Sequence, residues 1–217
     1  MARVLGASNP CRTEAMIDII DHLPEAHVSA GVRLYYTSLE AKLGPVFGPL
    51  DAALAVLPGS IHHSRCLVAL SEGHLVGILG IHDARGSFLA PTYMIMAKHY
   101  GTMSGMYRTS LLMLLDSKVA PGDLYLDGIA VAPTHRGQGI GTALMTAFEH
   151  RARDNGFATV SLEVIDTNPR ARQLYTRFGY HEIATHSMGP FSHLFGFRTT
   201  HRMSKPIDEV QHVRPYG

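Results

Sequence analysis

The stretch LYLDGIAVAPTHRGQGIGTALMTAF, residues 124–148, decides the fold. It reads as a strand, a glycine-rich turn and a helix. Apolar and β-branched residues run from Leu124 to Val131, as in a strand buried on both faces, and Pro133 ends the run. Beyond the turn, apolar residues recur at helical spacing, at Ile140, Leu144, Met145 and Phe148.

The turn places an anion site at the start of that helix. Gly137, Gly139 and Gly141 alternate with other residues, and glycine lets a ligand approach the backbone closely. Free N–H groups at a helix start suit phosphate or pyrophosphate. A Walker A loop is excluded because Thr142 rather than lysine follows the last glycine. A dinucleotide fingerprint, G-x-G-x-x-G, fits poorly because Leu144 stands at its third glycine.

Two blocks of this chain carry a family resemblance. The order Arg136-x-x-Gly139-x-Gly141 resembles the coenzyme A pyrophosphate loop of the GNAT superfamily of N-acetyltransferases. The block Asn168-Pro-Arg-Ala-Arg-Gln-Leu-Tyr175-Thr-Arg-Phe-Gly-Tyr180 resembles the family signature N-x-x-A-x-x-L-Y followed by G-F/Y. The blocks have the family's order and separation, so the chain is identified as a GNAT member.

The resemblance implies an α/β fold. Its mixed central β-sheet has a splay between the two central strands, here the strand ending at Val131 and the next one, Thr159–Val164, and helices flank it. Residues 1–205 are expected to form one domain with a helical insertion at about 86–121, followed by a polar tail at 206–217. The expectation for the source is a bacterial protein.

The resemblance also implies acetyl-CoA as the cosubstrate. The pyrophosphate would lie on the loop, the pantetheine arm would extend the sheet at the end of the central strand, and a backbone N–H there would polarise the carbonyl. The implied cofactor-binding residues are Ile129, Ala130, Val131, Arg136, Gly137, Gln138, Gly139, Ile140, Gly141, Thr142, Asn168 and Tyr175.

Asp127 and Tyr175 are the candidate catalytic residues. Asp127 is a carboxylate inside an apolar strand, where burial raises a pKa toward a value useful to a general base. The alternative is that it only bonds a neighbouring loop. Glu163 is the reserve base, and Tyr125 shares the side-chain parity of Asp127. By resemblance, the Tyr175 hydroxyl protonates the departing thiolate.

Composition excludes other classes of protein. The chain has 217 residues, 46% of them hydrophobic, and a net charge of +1, which predicts one globular domain without a general attraction to nucleic acid or membrane. The two cysteines suggest a reducing compartment, and no transmembrane or signal segment is apparent, so a cytoplasmic protein is expected. The histidines lack metal-ligand spacing, which predicts no metal site.

The rest of the chain predicts further helices and strands. Apolar periodicity predicts a helix over 13–22, and 38–57 is predicted as helical pieces broken near Gly44-Pro45 and Gly48-Pro49. Residues 65–70 and 75–81 predict a β-hairpin. A short strand is considered at the N-terminus, and the segment 27–36 is left unassigned. After residue 168, the sequence predicts a helix at 169–178, strands from 180 and over 197–203, a loop at 187–196, and a loose tail from Lys205.

The function that the sequence predicts is transfer of an acetyl group from acetyl-CoA to a primary amine by direct attack. The acceptor is a small-molecule amine or a peptide amine. The alternatives are a CoA-binding sensor without turnover and a transferase of longer acyl groups. The methionine-rich segment 93–115 is interpreted as packing on the domain, with a lid or a homodimer face as the alternatives.

Overall fold

The computed structural model describes residues 17–117 and 119–207. Its strands are β1 Ile17–Ile20, β2 Cys66–Ser71, β3 His74–Asp83, β4 Gly86–Ser87, β5 Asp123–Val131, β6 Thr159–Ile165, β7 His181–Ser187 and β8 Thr199–Pro206. Its helices are α1 Val28–Ser38, α2 Glu40–Phe47, α3 Leu50–Val56, α4 Tyr93–Tyr100, α5 Thr102–Leu115, α6 Ile140–Asp154, α7 Pro169–Arg177 and α8 Ser192–Phe195.

The described strands form one mixed sheet in the order β1-β2-β3-β5-β6-β8-β7, with β4 beside β3. The pair β5–β6 is parallel and the other pairs are antiparallel. Helices cover both faces, each over its own apolar core. We call the side packed by α1 to α5 the α1 face and the side packed by α6 and α7 the α6 face. The predicted α/β fold with a mixed, helix-flanked sheet is confirmed.

The central strands separate as predicted. β5 and β6 are paired from Asp123↔Thr159 to Leu126↔Leu162, and the pairing stops there. Beyond that point β5 stays with β3, through Gly77↔Val131, and β6 stays with β8. The pairing thus leaves a gap in the middle of the sheet.

The local signals for several elements hold. Glu72 and Gly73 both have positive φ, 50° and 76°, as a two-residue hairpin turn between β2 and β3 requires. Asn168 caps α7, since its Oδ1 accepts from the Ala171 N–H at 3.2 Å. Gly156 and Gly179 follow the ends of α6 and α7 with φ of 71° and 87°.

The predicted helix at 13–22 is wrong where the structure describes it. Ile17–Ile20 is a strand that pairs antiparallel with β2, from Ile17↔Ser71 to Ile20↔Val68. Ile17 and Ile19 pack on the core of the α6 face and Ile20 on that of the α1 face. Because alternation within IDII fits a strand as well as a helix, the open edge of β2 decided the outcome. Residues 1–16, with the considered first strand, lie outside the described residues.

The predicted break at Gly44-Pro45 is also wrong, whereas the break at Gly48-Pro49 is confirmed. α2 runs through Pro45 and ends before Gly48, which has φ of 78°. Proline removes one helical hydrogen bond, but Val46 and Phe47 are fully buried, and their packing outweighs that loss. The segment 27–36, left open by the sequence, is mostly α1.

At the C-terminal end the boundaries shift. β8 begins two residues later than predicted and extends through Lys205 to Pro206, so the chain is not loose from Lys205 onward. Lys205 pairs with Glu149 at 2.7 Å, and the buried Ile207 donates its N–H to the Ala158 carbonyl. The predicted loop at 187–196 contains α8. Residues 208–217 of the predicted tail lie outside the described residues.

The methionine-rich segment forms the hairpin of α4 and α5. Met96 is fully buried. Arg108 of α5 donates a hydrogen bond to the Val46 carbonyl and lies over the Tyr100 ring. The packing interpretation fails for the other four methionines, whose exposed fractions run from 54% to 78%. These exposed residues are Met94, Met103, Met106 and Met113.

Candidate functional site

The glycine-rich turn has the backbone that its sequence requires. Gly137 and Gly139 have φ of 77° and 80°, a region that side chains other than glycine rarely adopt. A Cβ built on either residue would have no atom within 4 Å, so the turn is open to a ligand. Gly139 is the N-terminal cap of α6. The turn is therefore an open concave backbone at a helix start.

The N–H groups of this turn are free. Among the described residues, the N–H groups from Gly137 to Thr142 find no hydrogen-bond acceptor, and the next one, of Ala143, donates to the Gly139 carbonyl. α6 is 15 residues long, so its dipole adds positive potential at this end. The exposed Arg136 donates from Nε to the Val131 carbonyl at 3.3 Å, and Gln138 donates to the Thr134 carbonyl. This arrangement can bind an anion such as a pyrophosphate.

The gap beside β5 exposes backbone groups. The Ala132 N–H donates to the Val76 carbonyl across the β3–β5 ladder. Because hydrogen-bonded pairs alternate along an antiparallel ladder, Ala130 also directs its backbone groups toward β3, whereas Ile129 and Val131 direct theirs into the gap. Ile129 thus offers its N–H and carbonyl to an extended ligand and Val131 offers its N–H, since the Val131 carbonyl accepts from Arg136, whereas Ala130 offers neither group.

A β-bulge gives Asp127 its position. The β3–β5 register slips between Gly80↔Gly128 and Ile81↔Leu126, so Asp127 is the extra residue on β5. A Cβ on Gly80 or Gly128 would lie 2.9 Å from the Tyr35 hydroxyl oxygen, so the two paired glycines make room for that side chain. The bulge turns Asp127 toward the α1 face beside Tyr35.

Asp127 lines a cavity on the α1 face, which we call the main cavity, with a volume of about 290 Å³. Apolar residues of α2, α5 and the segment after β4 form much of its wall, and Tyr35, Lys42 and Asp116 are among its polar members. Burial, reinforced by Asp116, raises the pKa of Asp127, whereas His82 and Lys42 oppose the rise. A carboxyl with a raised pKa in an apolar cavity suits a general base.

The reserve candidates are placed differently. Glu163 lines a second cavity of about 440 Å³ next to the main one. Tyr125 is buried, and its hydroxyl pairs with that of Ser117 at 2.8 Å. Burial raises the pKa of Tyr125 well above its usual value. Tyr125 therefore supports the strand, while Glu163 is accessible from a cavity.

Tyr175 lies on the other side of the gap from Asp127. It is buried in the core of the α6 face, and this burial raises the pKa of its hydroxyl to about 12. Its hydroxyl has no hydrogen-bond partner within 17–117 and 119–207, so it is free to donate to a ligand. Asn168 is an exposed cap of the same helix. The two candidate catalytic residues thus lie on opposite faces of the sheet.

Sequence reasoning missed Tyr35, in the unassigned segment 27–36, and Lys42, in a segment that it predicted as helical but gave no role. Tyr35 is 4% exposed and lies against the bulge, and burial raises the pKa of its hydroxyl well above the usual value. Lys42 borders both cavities. The paired tyrosines in GVRLYYTS, residues 31–38, were the one available signal.

Other predicted features can be checked only in part. Within the described ranges, His, Cys, Asp and Glu side chains form no group of three or more suited to a metal ion, and no helix is long and apolar enough to span a membrane. Cys66 is buried, which raises its thiol pKa to about 12, and Cys11 lies outside the described residues. Cys66 is thus a poor nucleophile.

Comparison with known proteins matches this geometry. Bovine (Bos taurus) thialysine N-epsilon-acetyltransferase is 38% identical over 61 residues, 28% of this chain and 36% of that protein. Streptothricin acetyltransferase of Streptomyces lavendulae is 42% identical over 57 residues, 26% of this chain and 30% of that protein. The chain therefore matches only about a third of the length of these curated relatives.

Solved structures share the fold over the whole domain. The ribosomal-protein-S18-alanine N-acetyltransferase of Escherichia coli superposes with a TM-score of 0.53 at 16% identity, covering 93% of this chain and all of that one (100%). A family model described as the acetyltransferase (GNAT) family matches residues 38–180, which include the glycine-rich turn, the gap and the main part of α7. This chain belongs to the acetyltransferase (GNAT) family.

Proposed function

We propose that the protein transfers an acetyl group from acetyl-CoA to a primary amine in a ternary complex. The observation that carries this proposal is the gap between β5 and β6, since β5 borders it with an open backbone edge, is followed by the glycine-rich turn and contributes Asp127 to the main cavity. A thioester in the gap would meet an amine in the cavity. Membership of the GNAT family supports the same assignment.

Acetyl-CoA would bind along β5 and the turn that follows it. The free N–H groups from Gly137 to Thr142, with Arg136, hold the pyrophosphate. Ile129 and Val131 bond the pantetheine amides as an added strand would. Asn168 and Tyr175 border the arm from α7.

The chemistry needs one base, one oxyanion donor and one acid. Asp127 accepts the proton of the amine as nitrogen attacks the thioester carbonyl carbon. A backbone N–H in the gap stabilises the oxyanion that forms. As the C–S bond breaks, the Tyr175 hydroxyl donates its proton to the departing thiolate, and CoA leaves as the thiol. Direct attack needs no covalent intermediate on the protein.

The acceptor would enter the main cavity as a small-molecule amine or a peptide amine. Relatives are named for thialysine and streptothricin, which supports an amine acceptor. The exposed methionines of α4 and α5 offer a face for a homodimer beside this cavity. The buried free thiol of Cys66 agrees with a reducing, cytoplasmic location.

The test is thiol release from acetyl-CoA by purified protein with amino acids, polyamines, aminoglycosides and short peptides as acceptors. Release that depends on one acceptor class supports the proposal, and an N-acetylated product found by mass spectrometry completes it. Binding of CoA without release for any acceptor would favour a sensor instead. Faster turnover of a longer acyl-CoA than of acetyl-CoA would favour the alternative acyl group.

A further inference from the structure

The main cavity and the second cavity share part of their walls. The shared residues are Lys42, Leu115 and Asp116. Asp127 belongs to the main cavity alone, and Glu163 belongs to the second alone. A molecule that places its amine at Asp127 and extends from the main cavity into the second one therefore passes Lys42.

Lys42 differs from the other described lysines. Lys205 is paired with Glu149 at 2.7 Å, and Lys98 is exposed on α4. Lys42 is partly buried at the cavity border, and its ammonium makes no hydrogen bond or ion pair with any residue in 17–117 or 119–207. An ammonium in a cavity wall offers three donors, and a carboxylate is the acceptor that binds them most strongly.

The charges around Lys42 are divided in a way that suits a zwitterion. Asp127 is the acidic residue that belongs to the main cavity alone, and it favours a cationic end of the ligand there, whereas Asp116 lies with Lys42 in the shared wall. Five leucines also line the main cavity, which suits an apolar spacer. Lys42 is the basic residue of that cavity.

We propose that Lys42 binds a carboxylate of the acceptor, so that the acceptor is a primary amine joined to a carboxylate through an apolar chain. Lys42 is a specificity-determining residue, and the inference rests on the proposed acetyl transfer. A free amino acid and the carboxyl end of a peptide share this chemistry.

Matched acceptors test the proposal. Thiol release is measured for ω-amino acids of four, six and eight carbons, for their carboxamides, and for a dipeptide that ends in 6-aminohexanoate. We expect kcat/KM to favour the best carboxylate over its carboxamide by about 10- to 100-fold. Lys42→Met should erase this preference, whereas Lys98→Met, which removes a lysine outside both cavities, should keep it. The rate with the dipeptide relative to the rate with free 6-aminohexanoate distinguishes a free amino acid from the carboxyl end of a peptide as the acceptor.

Two results would overturn the inference. The first is a wild-type enzyme that turns over carboxylate and carboxamide equally. The second is an equal loss for both acceptors in Lys42→Met, which would assign Lys42 to the electrostatics of Asp127. If no acceptor releases thiol, the proposed function fails, and calorimetric binding of the same pairs to wild type and Lys42→Met in the presence of CoA still decides the role of Lys42.

Discussion

On the α6 face the candidate site is a backbone turn, whereas on the α1 face it is a cavity walled by side chains of several helices and strands. The turn uses glycines and free N–H groups that lie within a few residues of one another. The main cavity draws Tyr35, Asp116 and Asp127 from distant parts of the chain. Backbone recognition suits a ligand part that never varies, and a side-chain wall can vary with the acceptor.

The two faces also differ in how they tolerate change. A Cβ on Gly139 would meet nothing, so a substitution there acts through its φ of 80° and its charge. A Cβ on Gly128 would lie 2.5 Å from a methyl carbon of Leu39, so a substitution there acts through packing. Mutations on the two sides should therefore separate cofactor affinity from acceptor affinity.

The largest effect is expected at the turn. Gly139→Glu should abolish acetyl-CoA binding for two reasons. The added carboxylate would repel the negatively charged pyrophosphate, and a side chain at this positive φ would strain the backbone. Isothermal calorimetry with acetyl-CoA measures the loss. Gly156→Glu is the matched control, since Gly156 has φ of 71° and open space around a Cβ at the other end of α6. Unchanged affinity in Gly139→Glu would refute the anion site.

The next effect concerns the base. Asp127→Asn should lower kcat by a factor on the order of 10² to 10⁴ with little change in acetyl-CoA affinity. Glu163→Gln is the comparison, and a larger loss there would transfer the role of base to Glu163. In the wild type, the acidic limb of the pH–rate profile should lie above the range of an ordinary aspartate, because burial raises the pKa of Asp127.

Asp127→Asn, which should lower kcat, should raise the stability of the fold at neutral pH. An acid with a raised folded-state pKa stabilises the fold while it is protonated, and this contribution is lost as pH rises through that pKa. Asp127→Asn removes the buried charge and should raise Tm at neutral pH relative to wild type. A lowered Tm measured by calorimetry would mean that the Asp127 carboxylate has stabilising partners.

A smaller effect is expected from the acid. Tyr175→Phe should lower kcat by about 10²-fold and leave acetyl-CoA affinity nearly unchanged. Because the pKa of Tyr175 is raised to about 12, this group should add no basic limb to the profile below about pH 11. Tyr180→Phe is the control, since its ring lies 6.2 Å from that of Tyr175 in the same core. Equal kcat in wild type and Tyr175→Phe would exclude the acid role.

The smallest effect is expected at the bulge. Gly128→Ala should raise KM for the acceptor several-fold, because its methyl group would push Tyr35 and Leu39 into the main cavity, while acetyl-CoA affinity stays the same. Gly59→Ala is the control, since a Cβ there would have no neighbour within 4 Å. A change in acetyl-CoA affinity without a change in acceptor KM would contradict the assignment of acetyl-CoA to the α6 face and of the acceptor to the α1 face.

Local chemistry explains what the sequence by itself determined. The turn from Arg136 to Thr142 needs glycine at positive φ, and α7 begins at the cap Asn168 and ends before Gly179. The apolar run of β5 and the spacing of α6 need only the residues themselves. These signals act over short stretches of chain, so the turn and the helices that follow could be predicted before any tertiary contact was known.

Long-range packing decided the rest. The segment from Ile17 to Ile20 became a strand because β2 offered an open edge, and α2 continued through Pro45 because its apolar residues are buried. The bulge at Asp127 depends on its register with β3, and the main cavity depends on Tyr35 and Lys42 arriving from α1 and α2. Neither residue belongs to a local motif, because a side-chain wall is specified by which helices pack together and not by the spacing of residues along one of them.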